Sequence, residues 1–546
     1  MALNAISDYP PAVSWVESGS EPNEGLDLTG LRLPVLTISN YLLDGITTVT
    51  PSVRYLSFYV WILSSYVHSR GLDSWKDFQV FAEKVESAIA LGNRLNHVAS
   101  GIVGARGASR LLATGDNPVP LRSLVKQPAT NIYFNPALQL QLLLPEPKVP
   151  GLSKERGEPL AEIVRTVFSK TTLGNEFSAA KQLSEAELED LRAFGEVASL
   201  TNITIDEATL LSASIIPLKP RSDREARRVQ TYACLLGLAE ALSHPPSEEE
   251  FFEEAASVHR LLPQQFHSQM NGWLRHLVRD SIAVGHEYLL QEILHALEDL
   301  SMGRYAIAGR DVVTRLLDDA HASYQALAEY GLLRSGEDAR SISFRRLFDR
   351  IKATTKHERL IDGGLCRWGG KLTEVKLIRS IQETPAKALA LLPVIWSVAM
   401  LRAEEWPEPE SNPFEGRTGM GWNAIGVHEV IGPGVRRFLG EEWKLGAVMS
   451  ELALRTVDQH LRVSWSRLAV DSGHDVALLI ADSEQWRSRL AKHVKDFKAG
   501  RTASRIYQAV RWLWQLGLVD EGGLTQRGKV LYRQVSEQAR KGANEV

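Results

Sequence analysis

Apolar residues along most of this chain recur at spacings of three and four, the pattern of helices that bury one face. The stretches 184–198, 205–213, 222–243, 248–261, 268–300, 308–330, 384–403 and 441–470 all carry it, with Gly or Pro between many of them. Strict apolar/polar alternation, the mark of a half-buried strand, is scarce. The pattern predicts a mainly α, multidomain helical protein. Near the N-terminus, Thr50-Pro51 predicts a helix start, because a threonine oxygen accepts from a free backbone N–H while proline occupies a position that needs no donor. The helix that follows runs through Phe58, Tyr59, Trp61, Ile62 and Leu63, apolar on nearly all sides, and belongs inside a large core, with Gly71 as its stop. Trp75, Phe78, Phe81, Val85 and Ile89 predict the next helix, with Asp73 as its cap. No fixed period recurs along the chain, which argues against a solenoid.

Loop-forming residues set the expected boundaries. Residues 1–35, rich in Pro, Ser, Gly and acids, read as an irregular N-terminal arm; 36–150 as an N-terminal helical domain; 151–403 as a central helical domain; 404–485 as a helical linker region; and 486–546 as a winged-helix-like domain. Composition alters this little. With 546 residues and 44% hydrophobic content the chain can bury several cores, and a net charge of -4 means that affinity for nucleic acid must come from a local basic surface. Two cysteines, Cys234 and Cys366, exclude a disulfide scaffold and lack the spacing of a zinc site. The first residues lack a basic segment ahead of an apolar one, and no stretch offers roughly 20 uninterrupted apolar residues. The expectation is a cytoplasmic protein with no membrane segment, metal or small-molecule cofactor.

The most specific functional pattern lies at the C-terminus. Thr502 is placed to cap a helix whose apolar stripe is Ile506, Ala509, Val510 and Leu513, and Gly517 to end it. Leu518-Val519, then Asp520-Glu521-Gly522-Gly523 and Leu524, read as two short strands around a tight turn, and Thr525 as the cap of a last helix. Helix, hairpin and helix predict a winged helix. On the first of these helices a rotation of about 100° per residue groups Arg505, Gln508 and Trp512 away from the stripe, with Arg501 leading in and Arg511 at the margin. Arginine bonds guanine or phosphate in bidentate fashion and glutamine bonds adenine, so this face suits double-stranded DNA. Lys495 and Lys498 extend a run, from Arg487 to Arg511, of eight basic residues against the single acid Asp496. The alternative for the same residues is a structural or protein-binding module whose arginines are solvated.

Catalytic patterns are sparse. Asp362, Glu374 and Lys376 have the order of carboxylate, carboxylate and lysine found in magnesium-dependent restriction-type nucleases, with Lys371 to Ile378 as an amphipathic strand carrying the last two. His286-Glu287 and His295 lie too far apart for the zincin pattern, and no Gly-x-Ser-x-Gly elbow occurs. Arg54, inside an apolar helix, needs a partner: either an ion pair, or a phosphate groove that it lines together with Arg106. Gly101, Gly104 and Gly107 lack the Gly-Lys-Ser/Thr ending of a P-loop.

The block from Asn40 to Trp61, NYLLDGITTVTPSVRYLSFYVW, followed by Gly101-Ile102-Val103-Gly104 and by Ile132-Tyr133, resembles an uncharacterised bacterial family of accessory proteins encoded beside helicases and nucleases in anti-phage defence islands. The resemblance covers about the first 145 residues. It implies a setting and no mechanism; taken with the C-terminal module, the expectation is a non-catalytic adaptor that positions a helicase or nuclease partner on DNA, with the magnesium-dependent nuclease or a protein-only interaction scaffold as alternatives.

Overall fold

The computed structural model describes residues 27–46, 52–71, 74–126, 128–145, 149–257, 261–301, 306–355, 357–358, 367–368, 372–404, 425–470, 477–482, 484–488 and 497–544. These are mainly helical, with strands of two to four residues. They fall into two compact units, each assembled from separated parts of the chain. One comprises Met1–Asn40, Phe252–Arg260 and Met270–Thr502; the other comprises Tyr41–Phe251, Leu261–Gln269 and Ala503–Val546. The stretches expected from Gly and Pro punctuation are consecutive, whereas the segments of these units interleave.

In the second unit the apolar helix is Arg54–Arg70, and from Arg54 to Leu63 every residue is buried. Gly71 ends it at φ 76, its N–H donating to Val67 O at 2.9 Å. Thr50 and Pro51 lie outside the described residues, as does Asp73; the next helix, Trp75–Leu95, is capped by Ser74, whose side chain accepts from the Asp77 N–H. Trp61 stands edge-on to Phe168 at 4.6 Å and donates its indole N–H to Ser178 Oγ at 3.2 Å, so the polar end of a buried ring is satisfied. Arg54 finds the ion pair that its burial requires: its Nε lies 3.1 Å from Glu207 Oε1, and its Nη1 donates to the Ser199 carbonyl. The Trp75–Leu95 helix crosses Leu188–Val197 where Gly92 meets Gly195, and a Cβ on Gly195 would lie 2.3 Å from the carbonyl carbon of Gly92. Beside this crossing the buried Asn93 side chain donates to Ala198 O and accepts from the Leu200 N–H, both at 2.9 Å.

The first unit gathers around His267–Ser301, from Met270 onward, with Ala388–Ala403 and Leu445–Val470. One of its sheets has three antiparallel strands, Ile307–Ala308, Gln485–Ser488 and Leu479–Asp482, in that order. The helix expected over 308–330 is two, Gly309–Asp318 and His321–Glu329. Asp318 and Asp319 stand at the end of the first, where their charge opposes the helix dipole, so the chain breaks without Gly or Pro. Pro385–Ala403 is, among the described residues, the one helix long and apolar enough to cross a membrane, and 89% of its apolar window is buried inside the protein.

Candidate nucleic-acid interface

The C-terminal segment folds as helix, hairpin and helix. Ile506–Gln515 is the first helix, opened by Arg505 at φ 68, with Ser504 Oγ accepting from the Ile506 N–H and donating to Glu248 Oε1. Gly517, at φ 66, ends it. Val519–Asp520 pairs antiparallel with Gly523–Leu524, and Asp520 Oδ1 accepts from the Gly522 N–H across the turn. Thr525 Oγ1 takes the Gly528 N–H at 3.1 Å and so caps Gln526–Asn544. A Cβ on Gly523 would meet Ala239 O at 2.5 Å and one on Gly237 would meet Tyr532, so hairpin and last helix are packed into the second unit on Asp223–Leu242.

Two expectations for this segment are corrected. Thr502 does not cap the helix: it is buried in the first unit, its N–H 3.2 Å from Asp280 Oδ1. The buried stripe is Ile506, Ala509, Trp512, Leu513 and Leu516, each fully buried, while Val510 is half-buried. Trp512, expected on the open face, is therefore core, because a ring of its size contributes far more apolar area than Val510. Including Trp512 turns the open side by about 100°, onto Tyr507, Arg511 and Trp514. Tyr507 is 55% and Trp514 46% exposed. Arg505, Gln508 and Arg511 are half-buried. Arg501 belongs to the first unit, its Nε 2.7 Å from Asp280 Oδ2 and its guanidinium over Phe252; Lys498, in the same unit, is exposed. Lys495 lies outside the described residues.

Within the second unit the open face of Ile506–Gln515 adjoins the glycine block of the N-terminal half. Arg511 Nη2 lies 3.5 Å from Ser100 Oγ, and Gln515 Oε1 accepts from the Val53 N–H at 2.8 Å. Burial pushes the phenol of Tyr133, which donates to Ser52 O, well above its ordinary value, and the charge of nearby Arg511 partly offsets this. Gly101 and Gly104 turn the chain at φ 85 and 82, in the left-handed region where glycine carries no Cβ penalty. They lead into Ala105–Leu112, which places Arg106 and Arg110 on one exposed face, four residues apart. A Cβ on Gly107 would meet Leu124 O at 2.7 Å, so this glycine serves close packing with the loop that carries exposed Arg122 and Lys126. Among the described residues none of Arg106, Arg110, Arg122, Lys126 and Arg511 pairs with a carboxylate. Arg54 and Arg106 do not share a groove, since Arg54 is sealed by Glu207 and Arg106 stands in solvent.

The nuclease residues are arranged otherwise than expected. Asp362 lies outside the described residues. Glu374 and Lys376 sit in the first turn of a helix, Glu374–Glu383, capped by Thr373, in place of the expected strand. Two residues apart on a helix means about 200° of rotation, so these side chains point away from each other. The Glu374 carboxylate is buried and accepts from Arg402 Nε and Nη2 at 2.8 and 2.9 Å. Among the described residues no group of three or more His, Cys, Asp or Glu is placed to hold a metal ion. His286 is also buried. Its Nε2 accepts from the Trp396 indole N–H at 3.2 Å, which places the ring proton on Nδ1, facing Thr456 Oγ1 at 2.8 Å. Burial, with Arg455 nearby, lowers its pKa to about 3, so the ring is neutral. His295 is half-exposed beside Glu292.

No protein family, curated protein or solved structure matches this chain.

Proposed function

We propose that this protein acts by binding nucleic acid rather than by catalysis, as a cytoplasmic adaptor whose C-terminal helix, hairpin and helix form the closing part of a winged helix on DNA. The observation that carries this reading is the approach of Arg511 to Ser100, which joins the open face of Ile506–Gln515 to the turn before Arg106 and Arg110. Arg511 thereby approaches a segment about 400 residues earlier in sequence that carries further cations, none of them paired with a carboxylate among the described residues, on a chain whose net charge is -4. Unpaired surface cations are the groups that gain most by displacing counterions from a phosphate backbone. The resemblance of the N-terminal block supplies the setting, with a helicase or nuclease of an anti-phage system as the protein partner.

The test is binding of the full chain to a labelled duplex across a salt series, comparing wild type with Arg106→Ala/Arg110→Ala/Arg511→Ala. Each phosphate contact contributes close to one unit to the slope of log K against log salt, so the triple variant should lose about three units of slope as well as affinity. Tight binding with an unchanged slope in the variant refutes this surface. Absence of binding to the duplex at low salt refutes a winged helix on double-stranded DNA.

A further inference from the structure

Five observations bear on what kind of nucleic acid this surface takes. Tyr507, Arg511 and Trp514 occupy positions i, i+4 and i+7 of one helix and so share a face. Both rings are among the large apolar side chains left exposed, and neither makes a hydrogen bond within the described protein. Seven residues at 1.5 Å rise separate them by about 10 Å along the axis, the length of about three nucleotide steps at 3.4 Å each. Of the side chains expected to read base edges in a major groove, Trp512 is fully buried, while Arg505, Gln508 and Arg511 are half-buried alike. Between residues 100 and 126, four basic residues stand against the single acid Asp116, so the ground beside the aromatic face is cationic.

A flat ring on an open helix face offers little to a stacked duplex, whose bases show only their edges in the grooves. It offers much to an unstacked base, whose π-face it can cover regardless of sequence. A protein partner using the same rings would bury Arg511 and its neighbours away from water, and that is costly unless the partner brings matching carboxylates. Phosphates supply that charge along with the bases.

We infer that the surface formed by Tyr507, Arg511 and Trp514 beside Arg106 and Arg110 binds single-stranded nucleic acid, with bases stacked on the two rings and the phosphate backbone on the arginines. This rests on the proposed nucleic-acid-binding function and specifies its ligand. Such a protein holds the unpaired part of a partly opened duplex, while arginines contact either form.

The experiment uses the full chain, a labelled 20-nucleotide oligothymidylate and a labelled duplex of the same length, read by fluorescence anisotropy at low salt. The variants are Tyr507→Ala/Trp514→Ala and the conservative Tyr507→Phe/Trp514→Phe, with circular dichroism to verify that each is folded. Because stacking is worth on the order of 1–3 kcal/mol per base, the alanine pair should weaken oligothymidylate binding by at least about tenfold. The phenylalanine pair should stay close to wild type, and duplex affinity should change little in either. Equal loss on both nucleic acids, or oligothymidylate binding unchanged in the alanine pair, overturns the inference while leaving the DNA-binding function standing. Duplex binding with no binding of the single strand does the same. If wild type binds neither, the function falls and the inference with it.

Discussion

Replacing Gly195 with alanine puts the helix crossing in the second unit to a direct test. The new Cβ would lie 2.3, 2.4 and 2.6 Å from the carbonyl carbon, oxygen and Cα of Gly92, all of them backbone atoms that no rotamer change can move. Relief to ordinary contact requires the axes to part by about 1 Å, and two sets of interactions sit beside the contact. Phe194, next to the substituted residue, packs on Phe168 and Phe177 at 5.3 and 5.8 Å between centroids. Asn93, next to Gly92, holds Ala198 O and the Leu200 N–H, bonds that a shift of 1 Å would break. Forced overpacking costs about 1–3 kcal/mol, and stranding buried polar groups costs about 1–3 kcal/mol each. Alanine returns about 1 kcal/mol through its better helix propensity. The net expectation is a loss of about 2–8 kcal/mol, a fall in melting temperature of roughly 5–20 °C for a unit of this size. The assay is thermal unfolding of the full chain by circular dichroism, beside Gly440→Ala, a helical glycine with open space around its Cβ position. Melting of Gly195→Ala at or above the wild-type temperature would refute the close crossing.

Three further outcomes follow from buried groups. Trp512→Ala should cost about 3–5 kcal/mol by cavity formation, whereas Trp514→Ala should stay within about 0.5 kcal/mol; urea unfolding showing the reverse would put the wrong face in the core. Arg402→Met leaves the Glu374 carboxylate buried without its bidentate partner and should lose about 3–5 kcal/mol, much of it recovered in Arg402→Met/Glu374→Leu. A double variant as unstable as the single one would show that packing, not the stranded charge, sets the cost. The folded-state pKa of His286, about 3, lies below the ordinary value of 6.5, so its contribution to stability is complete above pH 6.5 and is lost as pH falls toward 3. Between pH 7 and 5 the wild type should therefore lose up to about 2 kcal/mol relative to His286→Gln, with carboxylates common to both proteins cancelling; parallel urea midpoints across that range would refute it.

The helices were legible because spacing of three and four repeats over many turns, and the C-terminal hairpin because Asp-Glu-Gly-Gly between short apolar runs leaves the chain few other options. The orientation of Ile506–Gln515 was not. Ile506, Ala509 and Leu513 fit a helical stripe with either Val510 or Trp512 as the fourth member, and the choice between them depends on what the rest of the unit packs against that side. The strand expected around Glu374 failed for a related reason: over eight residues Leu372, Val375, Leu377 and Ile378 satisfy neither period uniquely, and Thr373 as a cap decided for helix. Arg54 announced its need for a partner, yet Glu207 is more than 150 residues away and only the fold selects it. Arg110, Arg122, Lys126 and Tyr507 are each ordinary in their own windows, and Trp514, an aromatic in a helical pattern, reads there as a core residue, whereas it is 46% exposed. Their significance comes from adjacency across the second unit.

The interleaving of the two units bears on the order in which the protein can be made. Residues 41–251 leave the ribosome about 250 residues before 503–546, which complete the same unit. At about 5–20 residues per second that interval is on the order of 10–50 s. Throughout it the surface of Asp223–Leu242 that will receive Gly523 and Tyr532 stands bare, a target for chaperones and for premature association with other nascent chains. A frameshift or early stop near residue 500 therefore removes more than a terminal appendage. It leaves the N-terminal half permanently in that waiting state.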